Sequence, residues 1–301
     1  MKWYLLNRYG KNEKLQITEI PEPILKENEI LLQIHSAWVN PLDLLIKNGD
    51  FKIFLPYKPS FILGHDVAWK IVKVGSKVSK YKVWDEIYAR LPDYHIWAFA
   101  EYVSINENYI SLKPKNLSME ESASIPLVGL TSWQALVEIA NLKKWQKVFI
   151  QAWSGGVGSF AIQLAKYLGA TVATTTSSSN IDFVKWLGAD IVIDYKNEDF
   201  EDKLKDFDVV LHSNKDIKIL KKSLNILKSG WQLISLIGPP TPKFAKKIGS
   251  PWYLQLITRF LSFGIRKKAK QRNIKYSFLF MRAEWSQLNQ ITKLIESGII
   301  K

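Results

Sequence analysis

The sequence predicts an α/β protein of two domains, in which a mainly β half precedes a doubly wound parallel sheet. Its 301 residues are too many for one ordinary compact domain and suit two. Up to about Asn116, short alternating or β-branched runs such as EILLQI and VWDEIYARL are separated by turn residues, which is typical of β-strands. From Met119 onwards, strand patterns alternate with helical patterns, which indicates parallel strands joined by crossover helices.

The elements of the second half follow from its hydrophobic periodicity. A helical stretch, MEESASIPLVGLTSWQALVEIA, is followed in order by the strand KVFIQA, the helix FAIQLAKYLGA, the strand TVATTT, the helix IDFVKWLGA, the strands DIVIDY and DVVLHS, the helix IKILKKSLNILKSG and the strand QLISLIG. A final amphipathic helix is expected around residues 287–297. We place the domains at residues 1–122 and 123–255, and we expect residues 256–301 to return to the first domain.

Composition narrows the functional classes. Apolar residues make up 47% of the chain and charged residues 23%, so a disordered or fibrous protein is not expected. Cysteine is absent, which excludes disulfides, thiolate nucleophiles and zinc sites with sulfur ligands. The N-terminus does not resemble a signal peptide, and no apolar stretch reaches the ~20 residues of a membrane span. We therefore expect a cytoplasmic protein.

A glycine-rich turn follows the strand KVFIQA. The spacing Ala152-x-x-Gly155-x-x-Gly158 is a variant of the dinucleotide fingerprint, in which glycines let the backbone approach a pyrophosphate at a helix N-terminus. The predicted contact residues are Ala152, Ser154, Gly155, Gly156, Val157 and Gly158. A plain strand-to-helix turn without a ligand is the alternative. The flanking strand and helix favour cofactor binding.

The next strand bears on the choice between NADH and NADPH. It ends at Ser177, Ser178, Ser179 and Asn180, where an NAD site usually places an acidic residue for the ribose 2′-hydroxyl. No carboxylate stands there, and small hydroxylated side chains can bind a 2′-phosphate. NADPH is therefore favoured over NADH, with a polar turn as the alternative.

Several segments together resemble a known family. They are Val39–Asp43 (VNPLD), Gly64–Ala68 (GHDVA), Asp85–Arg90 (DEIYAR), Phe99–Val103 (FAEYV), Gly129–Leu136 (GLTSWQAL) and the glycine-rich turn, in that order. The sequence resembles the zinc-free branch of the medium-chain dehydrogenase/reductase superfamily, the quinone oxidoreductase-like and 2-alkenal reductase-like proteins.

The resemblance implies a GroES-like β domain and a Rossmann domain with NADPH in the cleft between them. It implies that Asn40 and Thr131 lie near the nicotinamide and Tyr195 beside the 2′-phosphate. The loop of Ser235, Leu236, Ile237 and Gly238 would lie along the nicotinamide ribose. Two residues depart from the family pattern: Asn180 replaces a frequent lysine, and His212 replaces an acidic residue. A homodimer is expected, and the chain is expected to continue beyond Lys301 to complete the β domain.

No catalytic or metal-binding side chain can be assigned. His65 stands where zinc-dependent relatives keep a ligand, but without cysteines we interpret it as structural and expect no metal. The favoured function is transfer of a hydride from NADPH to a quinone or to an activated C=C bond of an enal or enone, for which the cofactor supplies the chemistry. The alternative is a non-catalytic NADPH-binding or scaffold protein.

A basic run follows an apolar segment near the C-terminus. Six of the ten residues from Arg266 to Lys275 are basic, and the preceding segment reads WYLQLITRFLSFG. This combination within 252–275 could rest on anionic lipid, and the basic run could equally contact nucleic acid. A solvated segment is the favoured interpretation, and no specific nucleic-acid partner is expected.

Tryptophan is unusually frequent, with 12 residues. Seven stand where the family pattern has glycine: Trp38, Trp69, Trp84, Trp97, Trp145, Trp231 and Trp285. Trp153 also enlarges a small position in the fingerprint. Glycine is usual where the backbone has positive φ or where a Cβ would collide, so tryptophan there would be destabilising. Either these positions are exposed with permissive backbone angles, or the sequence is an altered form of a natural one, and we favour the second.

Overall fold

The computed structural model describes residues 1–151 and 155–301, which form two compact units. The first unit comprises residues 1–130, 282–299 and 301, and the second comprises 131–281 and 300. These limits differ from the boundaries expected at 122 and 255. The segment from 256 to 281 joins the second unit because its strand pairs with that unit's sheet.

The first unit is built on two antiparallel sheets. The five-stranded sheet has the order β7-β3-β5-β6-β8, and the three-stranded sheet has the order β2-β1-β4. The strands are β1 (Lys2–Leu6), β2 (Gln16–Glu19), β3 (Glu29–Trp38), β4 (Phe61–Ile62), β5 (Asp66–Val74), β6 (Glu86–Arg90), β7 (Tyr102–Asn106) and β8 (Ser111–Leu112). The predicted β character of this half is confirmed.

Helices of the first unit pack on its sheets and fix its chain ends. They are α1 (Pro41–Asn48), α2 (Met119–Ala123), most of α3 (Pro126–Trp133) and α11 (Trp285–Glu296). The Ser118 hydroxyl and the Glu121 carboxylate form a capping box at the start of α2. The buried Tyr88 hydroxyl of β6 lies 2.8 Å from the Thr292 hydroxyl of α11, so the C-terminal helix is anchored to the β unit.

The second unit is a six-stranded, all-parallel sheet with the order β11-β10-β9-β12-β13-β14. Its strands are β9 (Lys147–Ile150), β10 (Thr171–Thr176), β11 (Ile191–Asp194), β12 (Phe207–His212), β13 (Leu227–Ser235) and β14 (Lys275–Phe278). Chain order runs outward from β9 in one direction and then from β12 in the other, which is the doubly wound arrangement of a Rossmann domain. The predicted α/β class is confirmed.

The helices of the second unit follow the predicted alternation, with one correction. They are α4 (Gly156–Tyr167), α5 (Ile181–Trp186), α6 (Phe200–Lys203), α7 (Ile217–Ser223), α8 (Pro242–Lys247), α9 (Trp252–Leu261) and α10 (Phe263–Gln271). The prediction of one helix over IKILKKSLNILKSG was wrong beyond Ser223. Leu227 instead pairs with Phe207 of β12, because apolar LNIL satisfies a buried strand as well as a helix. None of the helices in the described part of the chain is long and apolar enough to cross a membrane.

The tryptophans at family glycine positions occupy different environments. Trp84 and Trp145 are exposed (72% and 80%), and their backbone φ angles are 76° and 71°, in the left-handed region that favours glycine. Trp69 is fully buried in the core of the first unit, and its indole N–H has no hydrogen-bond partner among the described residues. Trp153 lies outside the described residues.

Replacing Trp84 with glycine should raise the free energy of unfolding by about 1 kcal/mol. A left-handed backbone costs a residue with a Cβ about 1–3 kcal/mol, and glycine removes this strain. Part of the gain is lost again because glycine increases the conformational entropy of the unfolded chain. Trp145→Gly should gain less, because it also loses the Lys144 ammonium 4.7 Å above the ring. Chemical denaturation measures both changes. Trp252→Gly is the control, since Trp252 is equally exposed but helical, and its replacement should lower stability. Equal effects at all three positions would contradict the backbone explanation.

Candidate dinucleotide site

Residues at the carboxyl ends of the parallel strands meet at one edge of the second unit's sheet. Gln151 follows β9, Ser177 follows β10 and Tyr195 follows β11, while His212 and Ser235 are the last residues of β12 and β13. The order of the sheet reverses between β9 and β12. Ligands of doubly wound sheets bind outside the carboxyl ends at such a reversal. Topology therefore brings these predicted residues to one edge.

The N-terminus of α4 opens at this edge. The helix starts at Gly156, and Gly155 is its extended N-cap with φ −105°. A Cβ built on Gly155 would have no atom of the described residues within 4 Å, chain neighbours aside. Gly158 is buried, and the carbonyl of Val157 accepts the Ser132 hydroxyl at 3.2 Å. Ala152 and Ser154, the other predicted fingerprint residues, lie outside the described residues.

The ends of β10 and β11 form a polar shelf. The Ser178 hydroxyl donates to the carboxylate of Asp194, which also accepts from the Lys196 backbone N–H (3.1 Å) and the Asn197 amide (2.9 Å). These bonds, led by that from Ser178, lower the pKa of Asp194 below its usual value. Strand β10 ends without a carboxylate, but Asp194 at the end of β11 brings one beside it. Hydrogen bonds within the shelf engage both oxygens of Asp194. Tyr195 is exposed beside it.

Two adjoining cavities border these strand ends and share Asn214 and Asp216 in their walls. The larger, about 790 Å³, is lined by Gln151, Thr175, Tyr195, Lys196, Lys218 and Lys222, among others. The smaller, about 400 Å³, is lined by His212, Ile217, Leu220, Ile237, Gly238 and Pro239, among others. The sequence contained no signal for Gln151, whose side chain is buried with an Oε1 that has no partner among the described residues.

His212 is buried at the smaller cavity. Its Nδ1 lies 3.0 Å from the Ser235 hydroxyl, and that hydroxyl accepts the Gly238 N–H at 2.8 Å. Gly238 is required here by close approach, because a Cβ would lie 2.6 Å from Ser235 Oγ and 2.7 Å from Tyr276 Oη. The residues Ser235, Leu236, Ile237 and Gly238 therefore form one tight loop held by His212.

The second ring nitrogen of His212, Nε2, is the polar atom of this side chain that is left for a further hydrogen bond. Nε2 is buried and has no hydrogen-bond partner within the part of the chain that the structure describes. Burial lowers the pKa of His212 to about 4, so the ring is neutral near pH 7. A neutral ring offers either an N–H or a lone pair, depending on the tautomer, and a sugar hydroxyl can satisfy both. The departure from the family pattern at His212 thus places a hydroxyl-binding group in the cavity wall.

The first unit buries a cluster of polar side chains around α1. Asn40 is the N-cap of α1, its backbone N–H donates to Asp43 at 2.7 Å, and its side-chain amide donates to Asp66 at 3.0 Å. The Nδ1 of His65 lies 2.5 Å from the Asp43 carboxylate, which supports a structural role for His65. Asp66 also accepts the Leu127 N–H at 3.1 Å. Asn40 therefore belongs to the first unit, whereas Thr131 is a buried residue of the second.

This cluster does not form a metal site in the described residues. No group of three His, Asp or Glu side chains there is arranged to hold a metal ion. Burial lowers the pKa of His65, despite the opposing hydrogen bond from Asp43, so the ring is held neutral. Burial likewise raises the pKa of Asp66 well above its ordinary value, against the hydrogen bonds from Asn40 and Leu127.

Comparison with known proteins agrees with this geometry. Residues 26–115 match the alcohol dehydrogenase GroES-like domain, and residues 187–301 match a family described as zinc-binding dehydrogenase. A mitochondrial NAD(P)H oxidoreductase of Dictyostelium discoideum is 32% identical over 322 residues, covering 100% of this chain and 90% of that protein. The chain belongs to the zinc-free, quinone oxidoreductase-like family of medium-chain dehydrogenases/reductases. This is a family of NAD(P)H-dependent oxidoreductases.

Two further relatives bear on the finer predictions. The 2-methylene-furan-3-one reductase of Solanum lycopersicum is 36% identical over 251 residues, covering 80% of this chain, and the chain spans 63% of that relative's length. The structure of Escherichia coli quinone oxidoreductase complexed with NADPH has a TM-score of 0.81 and 25% identity, covering 100% of this chain and 90% of that one. Because one relative is mitochondrial, the cytoplasmic location expected from the sequence stays a prediction.

The residues present fit a nicotinamide dinucleotide. The N-terminus of α4 at Gly155 suits a pyrophosphate, since the backbone N–H groups of a first helical turn have no partner within the helix. The Nε2 of His212, which has no partner among the described residues, suits a ribose hydroxyl. The predicted roles of Asn40, Thr131, Ser177 and Tyr195 toward such a ligand stay predictions.

Asp66→Asn should remove a pH dependence of stability. The folded protein holds a proton on Asp66 that the unfolded chain releases above about pH 4, so the wild type loses stability as the pH rises toward the folded-state pKa. Asparagine can keep an oxygen toward Asn40 and Leu127 and place its NH₂ where Oδ1 has no partner. Melting temperatures between about pH 5 and about pH 8 should therefore show the variant gaining on the wild type as pH rises. A constant difference, like that expected for exposed Asp50→Asn, would contradict the assignment.

Proposed function

We propose that this protein transfers a hydride from NADPH to a quinone or to the activated C=C bond of an enal or enone, without a metal. The observation that carries the proposal is the buried Nε2 of His212, which has no hydrogen-bond partner among residues 1–151 and 155–301 and lies on the same sheet edge as the N-terminus of α4. The names of the relatives, a quinone oxidoreductase and a reductase of a 2-methylene-furan-3-one, support the acceptor class.

Each part of the edge has a binding role in this proposal. The backbone N–H groups at the start of α4 hold the pyrophosphate, and His212 holds a hydroxyl of the ribose on the nicotinamide side. The cofactor, when bound, supplies the hydride. Hydride delivery leaves an anion, the hydroquinone anion of a quinone or the enolate of an enal or enone, and solvent water supplies the proton that completes the reduction. The side chains of this edge therefore orient the cofactor and need not act as a dedicated acid or base.

NADPH is favoured over NADH by the charges at the shelf. Both oxygens of Asp194 accept hydrogen bonds from its own loop and from Ser178, three bonds in all, so these bonds occupy most of the acceptor sites that a ribose 2′-hydroxyl would use. The larger cavity has Lys196, Lys218 and Lys222 in its wall, and these cations suit a 2′-phosphate. Lys222 is itself paired with Asp199, which leaves the other two as the stronger candidates.

The alternative function is a protein that binds NADPH without turnover. It is favoured by the two departures from the family pattern, Asn180 in place of a frequent lysine and His212 in place of an acidic residue. Both functions require the same cofactor site, so only an assay with acceptors distinguishes them.

The proposed reaction is tested by mixing the protein with NADPH or NADH and a panel of small quinones, enals and enones, and by following the absorbance of the reduced nicotinamide. Oxidation of NADPH should be faster than that of NADH and should depend on the acceptor. A metal chelator should leave the rate unchanged. Tight NADPH binding without turnover on any acceptor would establish the alternative, and zinc lost together with activity would refute the metal-free reaction.

Gly155→Val is the internal control for this assay. Its Cβ meets no protein atom within 4 Å, so the fold should persist while the side chain blocks the approach of a pyrophosphate. The variant should melt near the wild type and bind no measurable NADPH. Undiminished binding would show that the dinucleotide does not lie at the start of α4.

His212→Leu should weaken NADPH binding about tenfold, the equivalent of one hydrogen bond of about 1.4 kcal/mol. Calorimetric titration measures the Kd directly, without turnover. His95→Leu is the matched control, because His95 is exposed on the first unit and should leave the Kd unchanged. Equal Kd values for the His212 variant and the wild type would remove His212 from the site.

A further inference from the structure

Helix α9 of the second unit turns most of its large apolar side chains outward. Its inward face buries Leu254 and Thr258, and the next buried side chain is Ser262, whose hydroxyl donates to the Thr258 carbonyl at 2.6 Å. Its outward side and the first residue of α10, which together we call the α9 face, consist of large exposed apolar side chains: Trp252, Tyr253, Leu256, Ile257, Phe260, Leu261 and Phe263. Leu261 also lines the smaller cavity. A water-exposed helix of a globular protein normally shows the opposite arrangement.

The α9 face exposes an unusually large, contiguous apolar surface to solvent. Trp252 is 75% exposed and Phe260 is 73% exposed, and the seven side chains recur at the spacing of one helical side. Single exposed apolar residues are ordinary, whereas a contiguous patch of this kind marks an interaction surface. The solvated segment that the sequence favoured does not account for it.

The excess positive charge of the chain is concentrated in the stretch of sequence that contains this face. Residues 217–283 contain 15 Lys and Arg and no Asp or Glu, whereas the rest of the chain contains 27 basic and 28 acidic residues. Helix α10 carries Arg266, Lys267, Lys268 and Lys270, which we call the α10 row. Arg266 and Lys270 also line a recess of about 370 Å³ with Lys275. The whole excess of positive charge therefore lies in the part of the chain that contains the α9 face.

We propose that the α9 face and the α10 row form a peripheral binding site for an anionic lipid bilayer. The helix would lie in the plane of the interface, with its aromatic and aliphatic side chains among the acyl chains and the α10 row against the headgroups. Trp252 and Tyr253 suit the boundary between the two, because their rings are amphipathic. At ten residues, α9 is far too short to span a bilayer.

The distribution of charge and apolar side chains favours an anionic bilayer over two other partners, a second copy of the chain and a nucleic acid. A second copy of the chain docked on the α9 face would bring two α10 rows together, which is repulsive under a two-fold axis. A nucleic acid would match the α10 row but would leave the aromatic and aliphatic side chains of the α9 face without apolar contacts. Only a surface that is both apolar and anionic complements both parts. The proposal goes beyond the proposed function and does not depend on it.

Flotation of the full-length protein with lipid vesicles tests the proposal. Vesicles of phosphatidylcholine with about 30% phosphatidylglycerol should bind the protein, and pure phosphatidylcholine should bind it at least tenfold more weakly. Binding should fall steeply between about 0.05 M and about 0.5 M NaCl, because salt screens the α10 row. Absence of binding to the anionic vesicles at low salt would overturn the proposal.

Two double variants separate the contributions. Trp252→Gln with Phe260→Gln should weaken binding at least tenfold by removing insertion, and Lys267→Glu with Lys270→Glu should do the same by reversing charge. The matched controls lie at exposed positions of the first unit. Ile24→Gln with Ile53→Gln removes two apolar side chains, and Lys11→Glu with Lys14→Glu reverses two charges, as the test variants do. Both controls should bind as the wild type does.

The remaining outcomes decide against a bilayer. If the Trp252/Phe260 variant binds vesicles as tightly as the wild type, attraction is by charge alone and the α9 face is not inserted. If sedimentation shows a wild-type dimer that the same variant converts to a monomer, a second copy covers the face. Melting temperatures close to that of the wild type confirm that each variant is folded.

Discussion

Parallel pairing of β9 with β10 and β12 is the constraint on which the candidate site depends. Parallel strands must all run in one direction, so their carboxyl ends arrive at the same edge although they are far apart in sequence. Gln151, Ser177, His212 and Ser235 are neighbours only for this reason. The position of α4 depends on the same constraint, because this helix begins at Gly156, just beyond the carboxyl end of β9.

Buried polar groups set the electrostatics of both units. In the first, desolvation outweighs the hydrogen bonds of Asp66 and His65, so both side chains favour their neutral forms. In the second, desolvation alone holds His212 neutral, while the exposed edge of the shelf keeps Asp194 ionised by hydrogen bonds. The cavities at the sheet edge therefore have a neutral imidazole in one wall and lysine side chains in the other.

The same unit carries two kinds of surface, which meet at Leu261. The cavities at the sheet edge have lysines and His212 in their walls, whereas α9 presents an exposed apolar helix side next to a basic row in sequence. Helices that cover a sheet normally turn their apolar side inward, and α9 instead buries Thr258. Such a helix lowers its free energy only when something apolar covers its outer side, so the feature concerns a partner and not the stability of the isolated chain.

Much of the fold could be predicted from the sequence alone, because hydrophobic periodicity and glycine turns are local signals. The strands β9, β10 and β12, the helix α4 and the α/β class follow from them, and family motifs supplied the cofactor class. Local patterns failed where pairing decided the structure: LNIL could form helix or strand, and the chain instead turns at residues 224–226 so that Leu227 pairs with Phe207 as the first residue of β13. They also could not assign His212, since its role depends on burial and on Ser235, 23 residues away. Nor could they find that Asp194 reaches Ser178 or that α9 faces outward, because which side of an element is buried is a property of its tertiary neighbours and not of its own residues.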